Sequence, residues 1–287
     1  MAAVVFRSIE DPPHPEVKPF LKWVGGKRQS LPHLLGAISR LDSFGKYHEP
    51  FLGGGALYFE LWQKGLLNSG ASLTDINDKL IEVYLQVRDA VDTVIELLSR
   101  HSETHDENHY YGVRAKVPKS PAARAARLLY LNKVCYNGLF RENSRGEFNV
   151  PMGRYKNPRI CDAVNLRACS VALCNTAIQA TSFEHVLACA TPGDLVYFDP
   201  PYQPLTRTAS FTAYSKDGFC EESQRRLANA FADLASRRVN VLLSNSDTPL
   251  IQGLYRDFRV SRILARRSVN SRGDLRGHIS ELIISSF

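Results

Sequence analysis

Several features that would place a chain in a membrane or outside the cell are missing here. No apolar run approaches the length of a bilayer-spanning helix, about 18 residues. Only Ala2 to Phe6 precede Arg7, too short a stretch for the apolar core of a signal peptide. Cys135, Cys161, Cys169, Cys174, Cys189 and Cys220 never show the two-residue spacing of a zinc site. In a reducing compartment they read as small buried hydrophobes. Repeats and low-complexity segments are absent too. With 44% hydrophobic and 23% charged residues, neither a disordered nor a fibrous chain fits. The expectation from these absences is a cytoplasmic globular protein whose 287 residues make one large domain or two modest ones.

Acidic residues are scarce in one place, and that scarcity is informative. The whole chain carries a net charge of +7. Between Arg114 and Arg159 there are eleven basic residues and two acidic ones, so the rest of the chain is net acidic. A second basic cluster, Arg256 to Arg276, has seven arginines against Asp257 and Asp274. Such blocks suit a polyanion, because each neutralised phosphate releases a counterion.

Strand-like segments end repeatedly in turns that open helices. Lys46 to Pro50 leads into Phe51-Leu52-Gly53-Gly54-Gly55, followed by the helical spacing Leu57, Glu60, Leu61, Lys64. Ala71 to Thr74 ends at Asp75, and Thr176 to Thr181 ends at Ser182-Phe183. Leu195 to Phe198 is continuously apolar, as a strand buried on both faces requires. Val239 to Ser244 has the same character and follows the helical stretch Glu221 to Arg238. Alternation of this kind predicts an α/β fold with a doubly wound, mostly parallel sheet. The middle of the chain breaks the pattern. One helical period runs from Asp78 to about Arg100, a polar stretch covers Ser102 to Asn108, and Ser120-Pro121 cap a helix through Leu131. Asn132 to Asn157 is rich in Asn, Gly, Arg and aromatics, with Arg145-Gly146 as a hairpin turn. The expected organisation is a sheet domain from 1–77 plus 161–287, split by a mostly helical insertion, 78–160, that carries a β-hairpin.

The most specific chemical signal is Asp199-Pro200-Pro201-Tyr202, directly after an apolar strand. In an open parallel sheet, ligands bind beyond the carboxyl ends of the strands. These residue types suit the activation of an amine on an aromatic ring, whose lone pair is delocalised. A carboxylate and a backbone carbonyl, each accepting one N–H, favour the pyramidal amine on which the lone pair is free. Proline stiffens the loop, and the tyrosine ring can stack on a base. The turn Glu49 to Ala56 lets backbone approach a ligand, but it lacks the G-x-G-x-x-G spacing of dinucleotide dehydrogenases. Asp75 stands 22 positions beyond Gly53, the spacing at which a carboxylate meets ribose hydroxyls. Lys22 to Lys27 imitates a phosphate-binding loop but continues into Arg28 where Ser or Thr is needed.

Phe20-Leu21-Lys22-Trp23-Val24-Gly25-Gly26-Lys27, the glycine turn, a long insertion and Asp199-Pro200-Pro201-Tyr202 follow the order seen in alpha-group amino methyltransferases. Within the insertion, Tyr136 to Arg141 and Arg145 to Lys156 resemble the recognition hairpin of the bacterial and phage DNA adenine methyltransferase (Dam) family, D12 class. The resemblance spans about Pro19 to Ile284 and leaves Met1 to Lys18 unplaced. It implies a Rossmann-like methyltransferase sheet, S-adenosylmethionine as donor with S-adenosylhomocysteine as product, and the adenine 6-amino group of double-stranded DNA as acceptor, within GATC. By the same resemblance Asp199, Pro200 and Tyr202 would be catalytic. Trp23, Lys27, Phe51, Gly53, Gly55, Asp75, Phe183 and Asp199 would hold the cofactor. Lys22, Tyr136, Asn137, Leu139, Arg141, Pro151 and Arg154 would face DNA, and the loop Asn270 to Gly277 has no assigned role. The protein would act as a monomer or weak dimer on DNA, associated with the nucleoid. No metal is expected: His101, His105 and His109 recur every four residues without acidic partners and read as a solvated helix face.

Two other functions share parts of this pattern. An RNA base methyltransferase can use the same tetrad, but the long basic hairpin is against it. A non-catalytic DNA-binding protein on this fold would have no need of Lys27, Asp75, Asp199 and Tyr202 together. An aromatic-rich hairpin instead suits an enzyme that must open a duplex, because a base inside the stack is out of reach.

Overall fold

The computed structural model describes residues 14, 16–23, 25–27, 29–203, 219–266 and 278–287. The loop Asn270 to Gly277 and part of the Arg256 to Arg276 cluster lie outside the described residues. The first half runs α1 (Leu31–Ile38), β1 (Tyr47–Glu49), α2 (Ala56–Gln63), β2 (Ala71–Asp75), α3 (Asp78–Asp89), α4 (Val91–Glu103), α5 (Glu107–Ala115) and α6 (Pro121–Val134). The second runs α7 (Ala163–Leu173), β3 (Thr176–Ala180), α8 (Val186–Cys189), β4 (Leu195–Phe198), α9 (Glu221–Ser236), β5 (Asn240–Ser246), α10 (Pro249–Leu254), β6 (Arg259–Arg266) and β7 (His278–Ser285).

Among the described residues the strands form one sheet in the order β3-β2-β1-β4-β5-β7-β6. The first five are parallel, and β7 runs antiparallel to both neighbours. This is the expected doubly wound, mostly parallel α/β sheet. Period-two alternation explains why it is buried on both sides. Along β4, Leu195 and Tyr197 join one core layer while Val196 and Phe198 join the other. The first layer takes in Leu34 and Ile38 of α1, Leu57 and Leu61 of α2, and much of α3, α4, α6 and α7. The second is covered by Leu227, Phe231 and Leu234 of α9 with Ile251 of α10.

Caps behave as their chemistry dictates. Ser120 accepts the Ala123 N–H at 3.3 Å with Pro121 in the first turn, as expected from sequence. Asn77 accepts from Leu80 at 3.1 Å, opening α3 two residues after the β2 carboxylate. Each such cap stabilises its helix by about 1 kcal/mol.

Four expectations need correction. The helical period from Asp78 is two helices, broken at Ala90, whose backbone leaves the helical region (φ −143°, ψ 39°). Strands β6 and β7 are absent from the sequence reading. Arginines at 259, 262 and 266 make β6 resemble a charged loop, although as an edge strand it needs only half an apolar face. Cys135 and Cys169 are buried, but Cys174, Cys189 and Cys220 are exposed, each standing at a helix end. The three histidines share no solvated face, because α4 ends at Glu103 and α5 turns back. Their rings gather instead on the buried Tyr130. His101 stacks on it at 4.8 Å, and His105 Nδ1 lies 2.8 Å from its hydroxyl. His101 Nδ1 lies 2.9 Å from His109 Nε2. Among the described residues no group of His, Cys, Asp or Glu is arranged to hold a metal ion.

Burial, reinforced by the nearby His109, lowers the His101 pKa to about 4. Below the unfolded value near 6.5 the unfolded chain takes up a proton that the folded chain refuses. Stability contributed here is therefore complete above that value and is lost as pH falls toward 4. Urea denaturation at pH 7 and pH 5 is expected to show a smaller pH difference for His101→Phe than for wild type. An unchanged difference would remove His101 as its source.

Candidate active site

Strands β1 and β4 are parallel neighbours, with Tyr47 opposite Leu195 and His48 opposite Val196. The chain leaves β1 toward β2 and leaves β4 toward β5, so the strand order reverses between them. A crevice opens at such a switch point, and the residues following Glu49 and Phe198 emerge side by side at its rim. On the β1 side, Gly53 and Gly55 adopt left-handed conformations (φ 48° and 64°). A side chain on Gly53 would begin 2.9 Å from the Trp23 ring, so the turn has room only for glycine. The buried Tyr84 hydroxyl donates to the Gly53 carbonyl at 3.0 Å. Asp75, at the end of β2, accepts the Gly53 N–H on one oxygen (3.1 Å) and the Asn77 N–H on the other (3.0 Å). Burial pushes its pKa up, and these backbone donors pull it back. The carboxylate still has lone-pair capacity for a ligand hydroxyl.

Aromatic rings form the next wall. Phe51 stacks on Phe183 with centroids 5.4 Å apart, and Phe219 meets Phe51 edge-on at 5.6 Å. Phe198, the last residue of β4, also meets Phe51 edge-on at 6.2 Å.

Across the crevice stands the tetrad. Asp199 Oδ1 pairs with Lys27 Nζ at 2.8 Å, and Lys27 also donates to the Gly25 carbonyl at 2.8 Å. The lysine side chain is 7% exposed, so the pair is screened little by water. Burial raises the Asp199 pKa to about 6; Lys27 opposes that rise and Glu281 adds to it. The same ammonium lies 4.5 Å from the centre of the Tyr202 ring, a cation–π contact. Tyr202 donates its hydroxyl to Glu281 of β7 at 3.1 Å. Behind them Glu49 is buried, accepts the Tyr47 hydroxyl at 2.9 Å and has its pKa raised to about 8, chiefly by burial. It is therefore neutral at pH 7.

The hairpin of the insertion leans on this crevice through Trp23. Trp23, already against Gly53, stacks on Phe140 at 5.5 Å, and Phe140 meets Phe148 across the hairpin. The strands of the ribbon join through Glu142 and Phe148, and Gly146 closes the tip by donating to the Asn143 carbonyl. Lys79 of α3 anchors the tip, at 2.6 Å from Glu142 and 3.0 Å from the Gly146 carbonyl. Arg141 bonds Asn149 on the opposite side at 2.7 Å. Tyr136 is 49% exposed, on a turn where Asn137 and Gly138 are both left-handed. The buried Asn132 holds that turn to the Lys22 segment. Its amide accepts the Lys22 N–H (2.8 Å) and donates to the carbonyls of Lys22 (2.7 Å) and Gly138 (3.1 Å).

A family model described as D12 class N6 adenine-specific DNA methyltransferase matches residues 23–269 of this chain. The chain belongs to that family. It is 42% identical to the Type II methyltransferase M1.LlaDCHI of Lactococcus lactis subsp. cremoris, over 94% of this chain and 96% of that one. It is 41% identical to the Type II methyltransferase M.MjaIII of Methanocaldococcus jannaschii, over 95% and 100%. It is 37% identical to the DNA adenine methylase of Escherichia coli K12, over 92% and 93%.

In this D12-class methyltransferase the residues singled out from sequence fall into two adjoining groups. Trp23, Lys27, Phe51, Gly53, Gly55, Asp75, Phe183, Asp199, Pro200 and Tyr202 surround the switch-point crevice. Lys22, Tyr136, Asn137, Leu139, Arg141, Pro151 and Arg154 belong to the hairpin and its base, where Pro151 accepts the Tyr136 N–H at 2.9 Å. Glu49, Phe219, Glu281 and Asn132 were not assigned roles from sequence. Glu281 is brought in by β7, more than 80 positions from the tetrad's first residue, and no spacing rule reaches it. For the methyltransferase, Asn132→Ala leaves three backbone groups without their partner and is expected to cost about 2–4 kcal/mol of stability. Urea midpoints at constant m-value check this; a loss below 0.5 kcal/mol would mean that water replaces the amide.

Proposed function

We propose that this enzyme transfers the methyl group of S-adenosylmethionine to the 6-amino group of adenine in GATC duplexes, with the adenine swung out of the helix. The observation that carries the reading is the adjacency of two unlike surfaces: a strand-end crevice with a carboxylate and stacking ring, and a basic hairpin joined to it through Trp23 and Phe140. The crevice suits the donor. A side-chain-free turn, an acceptor carboxylate at Asp75 and the Phe51–Phe183 wall match the backbone approach, hydroxyl pair and base of a nucleoside. Once bound, the cofactor supplies an electrophilic methyl on a sulfonium centre.

The chain's own residues do the rest by position. Asp199, held ionised by Lys27, accepts one amine N–H, and the Pro200 carbonyl accepts the other. Both favour the pyramidal nitrogen that attacks in line. The new N–C bond forms as the C–S bond breaks, with the C–S electrons left on sulfur as a neutral thioether. The proton shed by the methylated amine passes to water by way of the Asp199 carboxylate that accepts its N–H. Tyr202 is the platform for the flipped base. We assign target choice to the insertion, residues 78–160, with the remainder as the catalytic domain. Arg141 and Arg154 stand on either side of the hairpin tip. The two guanines of a palindromic GATC ask for such a pair, arginine being the commonest reader of guanine in the major groove. Tyr136, exposed beside the crevice, fills the gap left by the adenine.

An acceptor carboxylate works only when ionised. The acid limb of kcat/KM, which reports the free enzyme, is therefore expected near pH 6, the value to which Asp199 is raised. Activity falls below it as the carboxylate takes a proton. A limb near pH 4 would show that another group controls the rate.

Specificity is tested by methylating a plasmid from a strain without adenine methylation and mapping the modified sites. GATC alone is expected. Arg141→Ala should lose about 1–3 kcal/mol of discrimination at one outer base pair and little at the others. Equal slowing on every singly substituted site would make Arg141 a phosphate contact.

A further inference from the structure

Tyr202 sits between two peptide groups, and both are held from outside the loop. The carbonyl of Pro201, in the peptide before it, accepts from Gln224 Nε2 at 3.0 Å. The N–H of Gln203, in the peptide after it, donates to Asn245 Oδ1 at 3.4 Å. The carbonyl of Gln203 accepts from the Ser246 hydroxyl at 2.8 Å. The two amides are themselves joined, Asn245 Nδ2 donating to Gln224 Oε1 at 2.9 Å. Both side chains are fully buried, Gln224 in the first turns of α9 and Asn245 near the end of β5.

The chemistry of the relay leaves one orientation. A carbonyl at Pro201 can meet only the NH2 end of Gln224. Its oxygen then requires the NH2 end of Asn245. The Asn245 oxygen is left facing the backbone N–H groups of Gln203 and Ser246, the latter at 2.8 Å. Neither Gln224 nor Asn245 can flip its amide without placing donor against donor or acceptor against acceptor.

Fixing the peptide planes on both sides of one residue fixes its φ and ψ, and with them the Cα–Cβ direction from which the ring projects; the hydroxyl's bond to Glu281 then holds the far end of the ring. We infer that Gln224 and Asn245 are positioning residues that hold the Tyr202 ring, and through it the target base, in line for transfer. This rests on the function proposed above, in which Tyr202 stacks on that base. Neither amide lies among the residues of the glycine turn, Asp75 or the Phe51–Phe183 wall, so cofactor affinity should not depend on them.

Gln224→Leu and Gln224→Glu separate this role from a purely structural one. Leucine removes the donor to Pro201. Glutamate keeps the shape and the acceptor for Asn245, but it can donate to Pro201 only when protonated. Single-turnover methylation of a duplex carrying the mapped site is measured alongside S-adenosylmethionine and DNA affinities and thermal midpoints. Gln224→Leu is expected to methylate about 10–100-fold more slowly, the scale for a misplaced reacting group, with both affinities within about twofold of wild type. For Gln224→Glu the rate relative to wild type should rise as pH is lowered from about 8 to about 6. The isosteric variant keeps the test open if the leucine variant does not fold. A Gln224→Leu rate within about twofold of wild type, or a Gln224→Glu ratio flat with pH, overturns the positioning role. Wild type inactive on duplex adenine would instead overturn the proposed function.

Discussion

Everything at this site depends on β1 and β4 being parallel neighbours in register. Tyr47 opposite Leu195 sets where Glu49 and Phe198 end, and so where the glycine turn and the tetrad begin. Because the chain turns toward opposite edges of the sheet after these strands, the helices that follow diverge and cannot fill the space between them. The crevice is thus a consequence of strand order. What the sequence adds is its lining: small residues on one rim, and a carboxylate with an aromatic ring on the other.

That lining has an electrostatic cost which the surroundings offset. Asp199 shares its neighbourhood with Glu49 and Glu281, and each like charge disfavours the others. Three features make the arrangement tolerable. Lys27 supplies a cation at ion-pair distance. Glu49 keeps its proton at neutral pH. Glu281 accepts a hydrogen bond from the Tyr202 hydroxyl. A lone buried carboxylate here would be more costly, and a fully paired one would have no lone pair left for a ligand.

The fold was largely legible because its central strands are buried on both faces and read as apolar runs. Leu195 to Phe198 and the turns after β1 and β2 could be placed from composition alone. What stayed hidden was tertiary. β6 pairs along an edge with arginine-rich sequence, and β7 delivers Glu281 from the far end of the chain. The histidine spacing was misleading because a four-residue period presumes one helix, and a helix end falls between His101 and His109. At the site, the motif residues were visible because their types carry chemistry. Asn132, Gln224 and Asn245 were not, since a buried amide looks like any polar residue until its partners are known.

The Asn132 clamp has a consequence for how such a protein can change. All three of its hydrogen bonds go to main-chain atoms, at Lys22 and Gly138. Main-chain atoms are the same whatever residue carries them. The ribbon beyond Gly138 is thus fastened to the crevice by a joint indifferent to the identity of most side chains along it. Arg141 can be exchanged without loosening that joint, so the outward-facing chemistry of the ribbon is free to drift while its attachment to the sheet stays the same.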